Sequence, residues 1–373
     1  MSSKQNGPTE IECGSSLAED AWTFSLPSTA DALSQKQARI NTTSHDEAAI
    51  QLRQLRSQIA SDIIIDSVNT NNESSPYPTF LSPLQLPSMA PHTGTPVPLI
   101  YCDHTASHRP SASIENFLRS RSYPCHANTH TNITYTGSQS TAFVAEARQI
   151  VAESTGARVT GKASVDCVIF TGNGVTGAVA TLIDALNLRA AIKDDNRPIV
   201  FVGPHEHHSN LLPWREAGCE VVNVPADKGM VDLVALECML SSKKFGNNST
   251  RLRIGTFSAV SNVTGLIADV DQIAILLHRY HCLAFFDYAS GAPYLKMNMN
   301  PLQSEAYKDG IYFSPHKCYG GTSTPGVLVV KKRLVSQTNP PRVCGGGTVF
   351  YVTEDSHRFL SNRIERYEVS LDF

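Results

Sequence analysis

The sequence lacks a long apolar run, and this absence argues against a membrane protein. No stretch of about 18 consecutive apolar residues occurs, which is the length that a membrane-spanning helix needs. The first residues, MSSKQNGPTEIECGSS, contain neither the apolar core of a secretion signal nor the Arg-rich pattern of a transit peptide. We therefore expect a cytoplasmic protein with no membrane partner.

An excess of charge and a regular cysteine framework are also missing. The 31 basic and 34 acidic residues give a formal net charge of −3, so no electrostatic attraction to nucleic acid is expected. The nine cysteines are scattered and include no C-x-x-C pair, which argues against a disulfide scaffold in a chain of this length. We interpret them as reduced thiols.

The amino-acid composition of the chain changes near residue 96. Residues 1–95 are rich in Ser, Thr, Asn, Gln and Pro, which predicts a largely disordered amino-terminal extension with one helical stretch at 46–65. Within 96–373, short apolar runs alternate with helical periods at 176–188, 231–242 and 270–280. The runs that we predict to be strands are 165–170, 198–203, 219–224, 252–260, 282–287, 310–314 and 326–330. This alternation predicts an α/β fold, a mostly parallel sheet flanked by helices.

A glycine-rich string follows the first predicted strand. Gly172-Asn-Gly-Val-Thr-Gly177 precedes a helical period, where free backbone N–H groups and a threonine hydroxyl can bind a phosphate. The string also matches G-x-G-x-x-G, so a dinucleotide-binding enzyme is an alternative. That alternative expects an acidic residue after the next strand, where Pro204 and His205 stand instead.

Three histidines follow the second predicted strand. His205, His207 and His208 lie within four positions, and neutral imidazole is a common zinc ligand. A metal-dependent hydrolase is therefore a second alternative. One histidine stacked on a flat cofactor explains the position equally well, because ligands of parallel sheets bind at the carboxyl ends of the strands.

Two later strands end in residues of opposite charge. Asp287 closes the apolar run CLAFFD, and a carboxylate buried there needs a cationic partner, either a protein side chain or a protonated ring nitrogen. Lys317 follows the strand GIYFS, within Ser314-Pro-His316-Lys317. A lysine in a partly apolar pocket has a lowered pKa and becomes nucleophilic towards an aldehyde.

These strings, in this order, resemble the class V aminotransferase and cysteine desulfurase family of fold-type I pyridoxal 5'-phosphate (PLP) enzymes. The resemblance runs from about Tyr101 to Ser370. Besides the strings above, it rests on Tyr-Cys-Asp103-His-Thr-Ala-Ser, Ala127-Asn128-Thr-His130, Glu206-His207-His208-Ser-Asn, Ser261-Asn262-Val-Thr-Gly265, Asp287-Tyr-Ala, Gly345-Gly-Gly347 and Glu365-Arg366-Tyr-Glu368.

The resemblance implies a role for each residue of the strings. Lys317 would hold PLP as a Schiff base and shuttle protons, His207 would stack on the pyridine ring, and Asp287 would pair with its nitrogen. Asn262 would contact the ring hydroxyl, and Ser290 stands where the family often has a ring-contacting Gln. The residues implied to hold the phosphate are Gly174, Val175, Thr176, Ser314 and His316.

The resemblance also implies partners and a reaction class. It predicts an amino-acid substrate, changed by transamination, elimination or C–S cleavage, and a homodimer in which Gly345–Gly347 lie near the partner's phosphate. The family's carboxyl-terminal small domain, which supplies an Arg for the substrate carboxylate, is expected to be absent or truncated in 96–373. Arg109 and Arg363 have no motif support for that role. A non-catalytic PLP-fold protein is the alternative.

Overall fold

The predicted apolar runs form one seven-stranded sheet in the computed structural model, which describes residues 102–129, 133–161, 164–191, 196–246, 251–336, 339–341 and 343–368. The sheet contains β1 (Asp166–Thr171), β2 (Ile199–Val202), β3 (Glu220–Asn223), β6 (Arg253–Ser258), β7 (Leu283–Asp287), β8 (Gly310–Phe313) and β9 (Gly326–Lys331). Two small hairpins pair β4 (Ala226–Asp227) with β5 (Met230–Val231) and β10 (Val349–Val352) with β11 (His357–Phe359). The extension at 1–95, with its helical stretch at 46–65, lies outside the described residues.

Six of the seven strands run in the same direction. The spatial order is β1-β9-β8-β7-β6-β2-β3, and the pairs β8–β7, β7–β6, β6–β2 and β2–β3 are parallel. Strand β9 is antiparallel to both of its neighbours, β1 and β8. The mostly parallel sheet that the sequence predicts is therefore confirmed.

The α-helices of the described residues are α1 (Ala112–Phe117), α2 (Tyr135–Ser154), α3 (Gly174–Ala185), α4 (Leu188–Ala191), α5 (Leu212–Glu216), α6 (Leu233–Ser241), α7 (Val270–Arg279) and α8 (Arg363–Tyr367). Local chemistry fixes where several begin. Asp232 accepts a hydrogen bond from the Ala235 N–H at 2.9 Å and so caps α6, and Asp269 caps α7 through the Gln272 N–H at 3.1 Å. None of the described helices is long and apolar enough to cross a membrane.

Helices pack on both faces of the sheet, as the apolar strands require. Along β1, Val168 faces a core that includes Leu277 of α7, whereas Ile169 faces a second core that includes Leu182 of α3. A strand covered on both faces is apolar along most of its length, and all six residues of β1 and of β9 are buried, the charged Asp166 and Lys331 as an ion pair. The period of two along each strand thus divides its side chains between the two cores.

Candidate active site

The carboxyl ends of the parallel strands bring the predicted residues to one edge of the sheet. Gly172 follows β1, Asp287 ends β7, and Ser314 follows β8. Because β9 runs the opposite way, its first residue, Gly326, lies at the same edge, and its N–H donates to the Gly172 carbonyl at 2.8 Å. Residues that are far apart in the sequence therefore meet around the loop that starts α3.

This loop approaches its neighbours so closely that side chains are excluded. A Cβ on Gly174, where φ is +52°, would lie 2.6 Å from Ser314 Oγ and 3.0 Å from His316 Cε1. A Cβ on Gly326 would lie 2.0 Å from the Gly174 carbonyl oxygen. The Val175 N–H donates to Ser314 Oγ at 2.9 Å. The backbone at the start of α3 is thus a cradle bounded by Ser314 and His316, suited to an anion.

The glycine loop is linked to the histidine turn after β2. Thr176 Oγ1 donates to Ser209 Oγ at 2.8 Å, and the Ser209 N–H donates to His207 Nδ1 at 3.1 Å. Burial lowers the pKa of His207, and the positive charge of Lys317 lowers it further. His207 is therefore a neutral ring near Lys317, which suits stacking on a planar group.

Lys317 ends a short 3₁₀ turn, Pro315–Lys317, just beyond β8. The side chain is half-buried, and burial lowers the pKa of its amine, opposed by the carboxylates of Asp287 and Asp103. Its Nζ forms no hydrogen bond with any residue that the structure describes. An amine with a lowered pKa and unused donors can act as a nucleophile or as a proton carrier.

Asp287 is a buried carboxyl group with unused hydrogen-bonding capacity. The residue is 4% exposed, and Oδ1 accepts the Ala289 N–H at 2.7 Å, whereas Oδ2 has no hydrogen-bond partner among the described residues. Burial raises the pKa of Asp287 to about 7, and the charge of Glu206 contributes to the rise, while the Ala289 N–H and Lys317 oppose it. A buried carboxyl group in this state is suited to a cationic N–H partner.

A buried polar network under this site was not anticipated from the sequence. Glu206 accepts hydrogen bonds from the Ser258 N–H at 2.7 Å, the Ser258 hydroxyl at 2.8 Å and the Asn210 amide at 2.5 Å. Asn210 Oδ1 accepts from the Tyr312 hydroxyl at 2.5 Å and from Thr256 Oγ1 at 2.8 Å. Burial raises the pKa of Glu206, and these donors oppose the rise. The only signal for it in the sequence was the string Glu206-His207-His208-Ser-Asn, where we interpreted the histidines alone.

Two predicted residues lie on loops at this edge without contacting the others. Asn262 is exposed on the loop after β6, and Ser290 lies just beyond Asp287 and is partly buried. Neither forms a hydrogen bond with a described residue. Their contacts to a ring therefore stay predictions.

The metal-hydrolase alternative lacks a ligand set in the described part of the chain. His205 Nε2 forms a hydrogen bond with the Gly229 carbonyl at 2.7 Å, and His207 Nδ1 accepts from its own turn. No group of three or more His, Cys, Asp or Glu side chains that could share a metal ion occurs among the described residues. The three histidines are close in sequence but have different partners.

The dinucleotide alternative fails on topology. A dinucleotide-binding βαβ unit needs adjacent parallel strands on either side of the glycine loop. Here β1 pairs with the antiparallel β9, and β9, β8, β7 and β6 separate it from β2. The G-x-G-x-x-G string therefore does not belong to a dinucleotide-binding βαβ unit.

The arginines considered for a substrate carboxylate lie in different places. Arg363 donates to the carbonyls of Lys332 and Val335 at 2.6 and 3.2 Å, at the amino end of the sheet, so it does not belong to this site. Arg109 lies near His104, in a segment where the His108 N–H donates to the His316 carbonyl at 2.8 Å. Arg109 is thus the closer of the two to Lys317 in the fold.

The sheet, with a lysine, an aspartate and a histidine at its carboxyl edge, is the arrangement of the fold-type I class. The sequence model of the family described as Aminotransferase class-V matches residues 100–368, and the chain belongs to this family. A probable cysteine desulfurase of Chlamydia muridarum is 32% identical over 183 residues, covering 47% of this chain and 42% of that protein. One of Halalkalibacterium halodurans is 30% identical over 264 residues, covering 68% of this chain and 58% of that protein.

Solved structures show the same fold. The apo cysteine desulfurase of Thermococcus onnurineus NA1 superposes with a TM-score of 0.58 at 24% identity, covering 72% of this chain and 62% of that chain. The cysteine desulfurase CsdA of Escherichia coli superposes with a TM-score of 0.54 at 22% identity, covering 72% of this chain and 66% of that one. The chain thus spans about half the length of the two probable cysteine desulfurases, covering 42% of the Chlamydia muridarum protein and 58% of the Halalkalibacterium halodurans protein.

Proposed function

We propose that the chain binds PLP at the carboxyl edge of its sheet and acts on an amino acid as a PLP-dependent transferase or lyase. The observation that carries the proposal is that two side chains at this edge have hydrogen-bonding atoms that make no hydrogen bond with a described residue. Among the residues described, Lys317 offers an amine without a hydrogen-bond partner, and the buried residue Asp287 offers a carboxylate oxygen without one. Both lie beside a backbone cradle that excludes side chains at Gly174 and Gly326.

The described residues fit each chemical part of the cofactor. The cradle of Gly174, Val175 and Ser314 would hold the phosphate, with Thr176 and His316 at its margin. Asp287 would hold the protonated ring nitrogen and Lys317 the aldehyde carbon, while His207 would cover one ring face. Asn262 and Ser290 are additional candidates for the ring substituents.

When bound, PLP supplies an electron-withdrawing ring that stabilises negative charge at the α-carbon of an amino acid. The protein's own groups do the rest. Lys317 Nζ, whose pKa burial lowers, can accept a proton from the substrate and return it. Asp287 would hold the protonated ring nitrogen, whose positive charge would offset the cost of burying the carboxylate. The network of Glu206 and Asn210 holds the turn that carries His207.

Cysteine is the first substrate to test, with C–S cleavage as the reaction. This choice rests on the names of the relatives, which are probable cysteine desulfurases. The fold alone does not select a reaction, because the same scaffold hosts several chemistries. Assays for alanine, pyruvate, ammonia and sulfide across a panel of amino acids would distinguish C–S cleavage from transamination and elimination. Cofactor binding without turnover of any amino acid would favour the non-catalytic alternative.

The partner that we propose is a second copy of the chain. The β10 strand carries apolar side chains into solvent, with Phe350 73% and Val352 66% exposed, directly after the turn at Gly346–Thr348. Exposed apolar side chains in a row are typical of an interface. Light scattering of the purified chain should give the mass of a dimer, and Phe350→Asp should shift it to a monomer. A monomer at high concentration would contradict the proposal.

The cofactor assignment has a direct test. Protein mixed with PLP should absorb visible light, and borohydride should then attach the cofactor irreversibly to the Lys317 peptide, as read by mass spectrometry. Lys317→Ala should abolish the attachment, whereas Lys243→Ala, which removes an exposed lysine elsewhere, should leave it unchanged. Attachment to another lysine, or attachment that survives Lys317→Ala, would disprove the assignment.

A further inference from the structure

A second cavity lies at the opposite edge of the sheet, at the amino end of β1 and the final residues of β9. Its volume is about 990 Å³, and Val165, Tyr307 and Leu302 form part of its wall. Five cationic side chains line it, and no acidic side chain does among the described residues: Arg158, Lys331, Lys332, Arg333 and Arg363. The proposed function does not use this cavity.

Two of these cations are neutralised by buried carboxylates behind the wall. Lys331 Nζ lies 2.7 Å from Asp166 Oδ1, and the Arg333 guanidinium lies 2.5 Å from Asp309 Oδ1. These pairs belong to the core of the sheet. They leave three positive charges on the cavity side.

The remaining three cations have only neutral partners in the described part of the chain. Arg158 donates to the Asn300 amide oxygen at 2.9 Å, and Lys332 Nζ contacts the Ser164 hydroxyl at 3.4 Å. Arg363 donates to two backbone carbonyls, at 2.6 and 3.2 Å. Like charges held in one concave space repel each other, and an anion would relieve this repulsion.

The backbone positions of Arg158 and Lys332 are held by hydrogen bonds at the wall of the cavity. The Arg158 N–H donates to Asp166 Oδ2 at 2.8 Å, and the Lys332 N–H donates to the Val165 carbonyl at 2.8 Å. The carbonyls that bind Arg363 use only one nitrogen of its guanidinium, so other N–H groups stay available for a bidentate contact with an oxyanion.

We propose that this cavity binds a small organic anion with two or more negative charges, of the phosphate-ester class. The three uncompensated cations account for the charge of the ligand. The volume exceeds that of a single inorganic ion, and the exposed apolar side chains of Leu302 and Val165 can contact an organic part. A concave site of this size is better suited to a small molecule than to the flat surface of a partner protein. The inference does not depend on PLP binding at the other edge.

The test uses pyrophosphate as the probe, titrated into the full chain at low ionic strength and followed by calorimetry and ³¹P line width, with PLP present and absent. Lys332→Ala and Arg363→Ala should each weaken binding about tenfold, since a charged hydrogen bond contributes about 1.4 kcal/mol or more. Lys332→Arg should retain binding. Lys243→Ala removes the same charge outside the cavity and should change the affinity less than twofold.

The proposal would be overturned by no binding of pyrophosphate, by unchanged affinity in both cavity variants, or by an equal loss in Lys243→Ala, which would indicate only the overall charge. Binding of an acidic peptide but not of pyrophosphate would also overturn it, in favour of a protein-docking surface. If Arg363→Ala fails to fold by circular dichroism, Lys332→Ala carries the test, because its Nζ makes only one long hydrogen bond.

Discussion

Buried carboxylates occur at both ends of the sheet, but in opposite electrostatic states. At the amino end, Asp166 accepts hydrogen bonds from Lys331 Nζ at 2.7 Å, the Arg158 N–H at 2.8 Å and the Asn300 amide at 2.7 Å. At the carboxyl end, Asp287 accepts one backbone N–H, and its pKa rises to about 7 because it is buried. The first carboxylate has a cationic partner at hydrogen-bonding distance, whereas the second has none among the described residues.

This difference is what the proposed function requires, with a structural role for Asp166 and a binding role for Asp287. A buried ion pair with all its hydrogen bonds made is compatible with a stable core, whereas a buried group without a partner costs free energy. The fold tolerates that cost at Asp287, where a ligand can supply the missing positive charge. Under the proposed function, the same residue type, a buried aspartate, serves stability at one end of the sheet and cofactor binding at the other.

The largest effect is expected from Asp166→Ala. The substitution leaves the Lys331 ammonium buried without a carboxylate, and removing one member of a buried pair costs about 3–5 kcal/mol. Urea denaturation would measure the loss in the free energy of unfolding. The double variant Asp166→Leu with Lys331→Met removes both charges and should recover most of the loss. A single variant as stable as the wild type would abolish the contrast between the two ends.

Gly326→Ala should come next. The new Cβ would lie 2.0 Å from the Gly174 carbonyl oxygen, so the cradle must shift, at a cost of about 1–3 kcal/mol. PLP retention on gel filtration should fall as well. Gly172→Ala is the matched control, because a Cβ there meets nothing within 4 Å. Equal stabilities of the two variants would show that the close approach at Gly326 is unimportant.

Asp287→Asn should stabilise the cofactor-free chain at high pH. The pKa of Asp287 is about 7 in the folded chain against 3.8 unfolded, so its contribution is full below the unfolded value and is lost as the pH rises through 7. The variant should therefore gain about 1–2 kcal/mol over the wild type at pH 8, within the limit of about 1.4 kcal/mol per pKa unit. Near pH 4 the gain should vanish. A constant difference across this range would mean that Asp287 does not titrate there.

Glu206→Gln should shift that pH dependence. The charge of Glu206 contributes to the raised pKa of Asp287, so its removal should lower the pKa and move the midpoint of the stability change to lower pH. The effect should be under about 1 kcal/mol at pH 6. Thr256→Val removes a hydrogen bond of the same network without changing charge and should leave the midpoint in place. If Glu206→Gln leaves the midpoint unchanged, the charge of Glu206 does not influence the pKa of Asp287.

The smallest effect is expected from Arg279→Ala. Arg279 and Glu237 form an ion pair at 3.3 Å, but both side chains are exposed, and such pairs contribute about 0.2–1 kcal/mol at most. Urea denaturation should show a loss in the free energy of unfolding near the lower limit of this range. A loss as large as that of Asp166→Ala would contradict the view that burial decides the difference.

The strands were predictable because each is a continuous apolar run bounded by turn residues. The run predicted at 282–287 is Leu283–Asp287 in the structure, and 326–330 is Gly326–Lys331. The run predicted at 252–260 ends earlier, at Ser258, because Val260 leaves the sheet and bridges Ile267 on the following loop. Apolar periodicity identifies buried strands, but it does not determine where one departs from its neighbours.

The order of the strands and the buried network were not predictable in this way. Nothing local in Gly326 indicates that β9 runs against β1 and brings this glycine to the carbonyl of Gly174. The Tyr312 hydroxyl meets Asn210 although they are 102 positions apart. Such contacts depend on packing across the whole sheet. The cavity at the amino edge was missed for the same reason, because its cations come from separate segments.

The antiparallel ladder of β1 and β9 connects the two edges of the sheet directly. Its six pairs run from Asp166↔Lys331, at the amino-edge cavity, to Thr171↔Gly326, beside the glycine cradle. Five steps along a strand span about 17 Å, entirely through buried, hydrogen-bonded backbone. Any coupling between ligand binding at the two edges is thermodynamically reciprocal. Under the two proposals, whatever factor an anion at one end imposes on cofactor affinity at the other, the cofactor must impose on anion affinity.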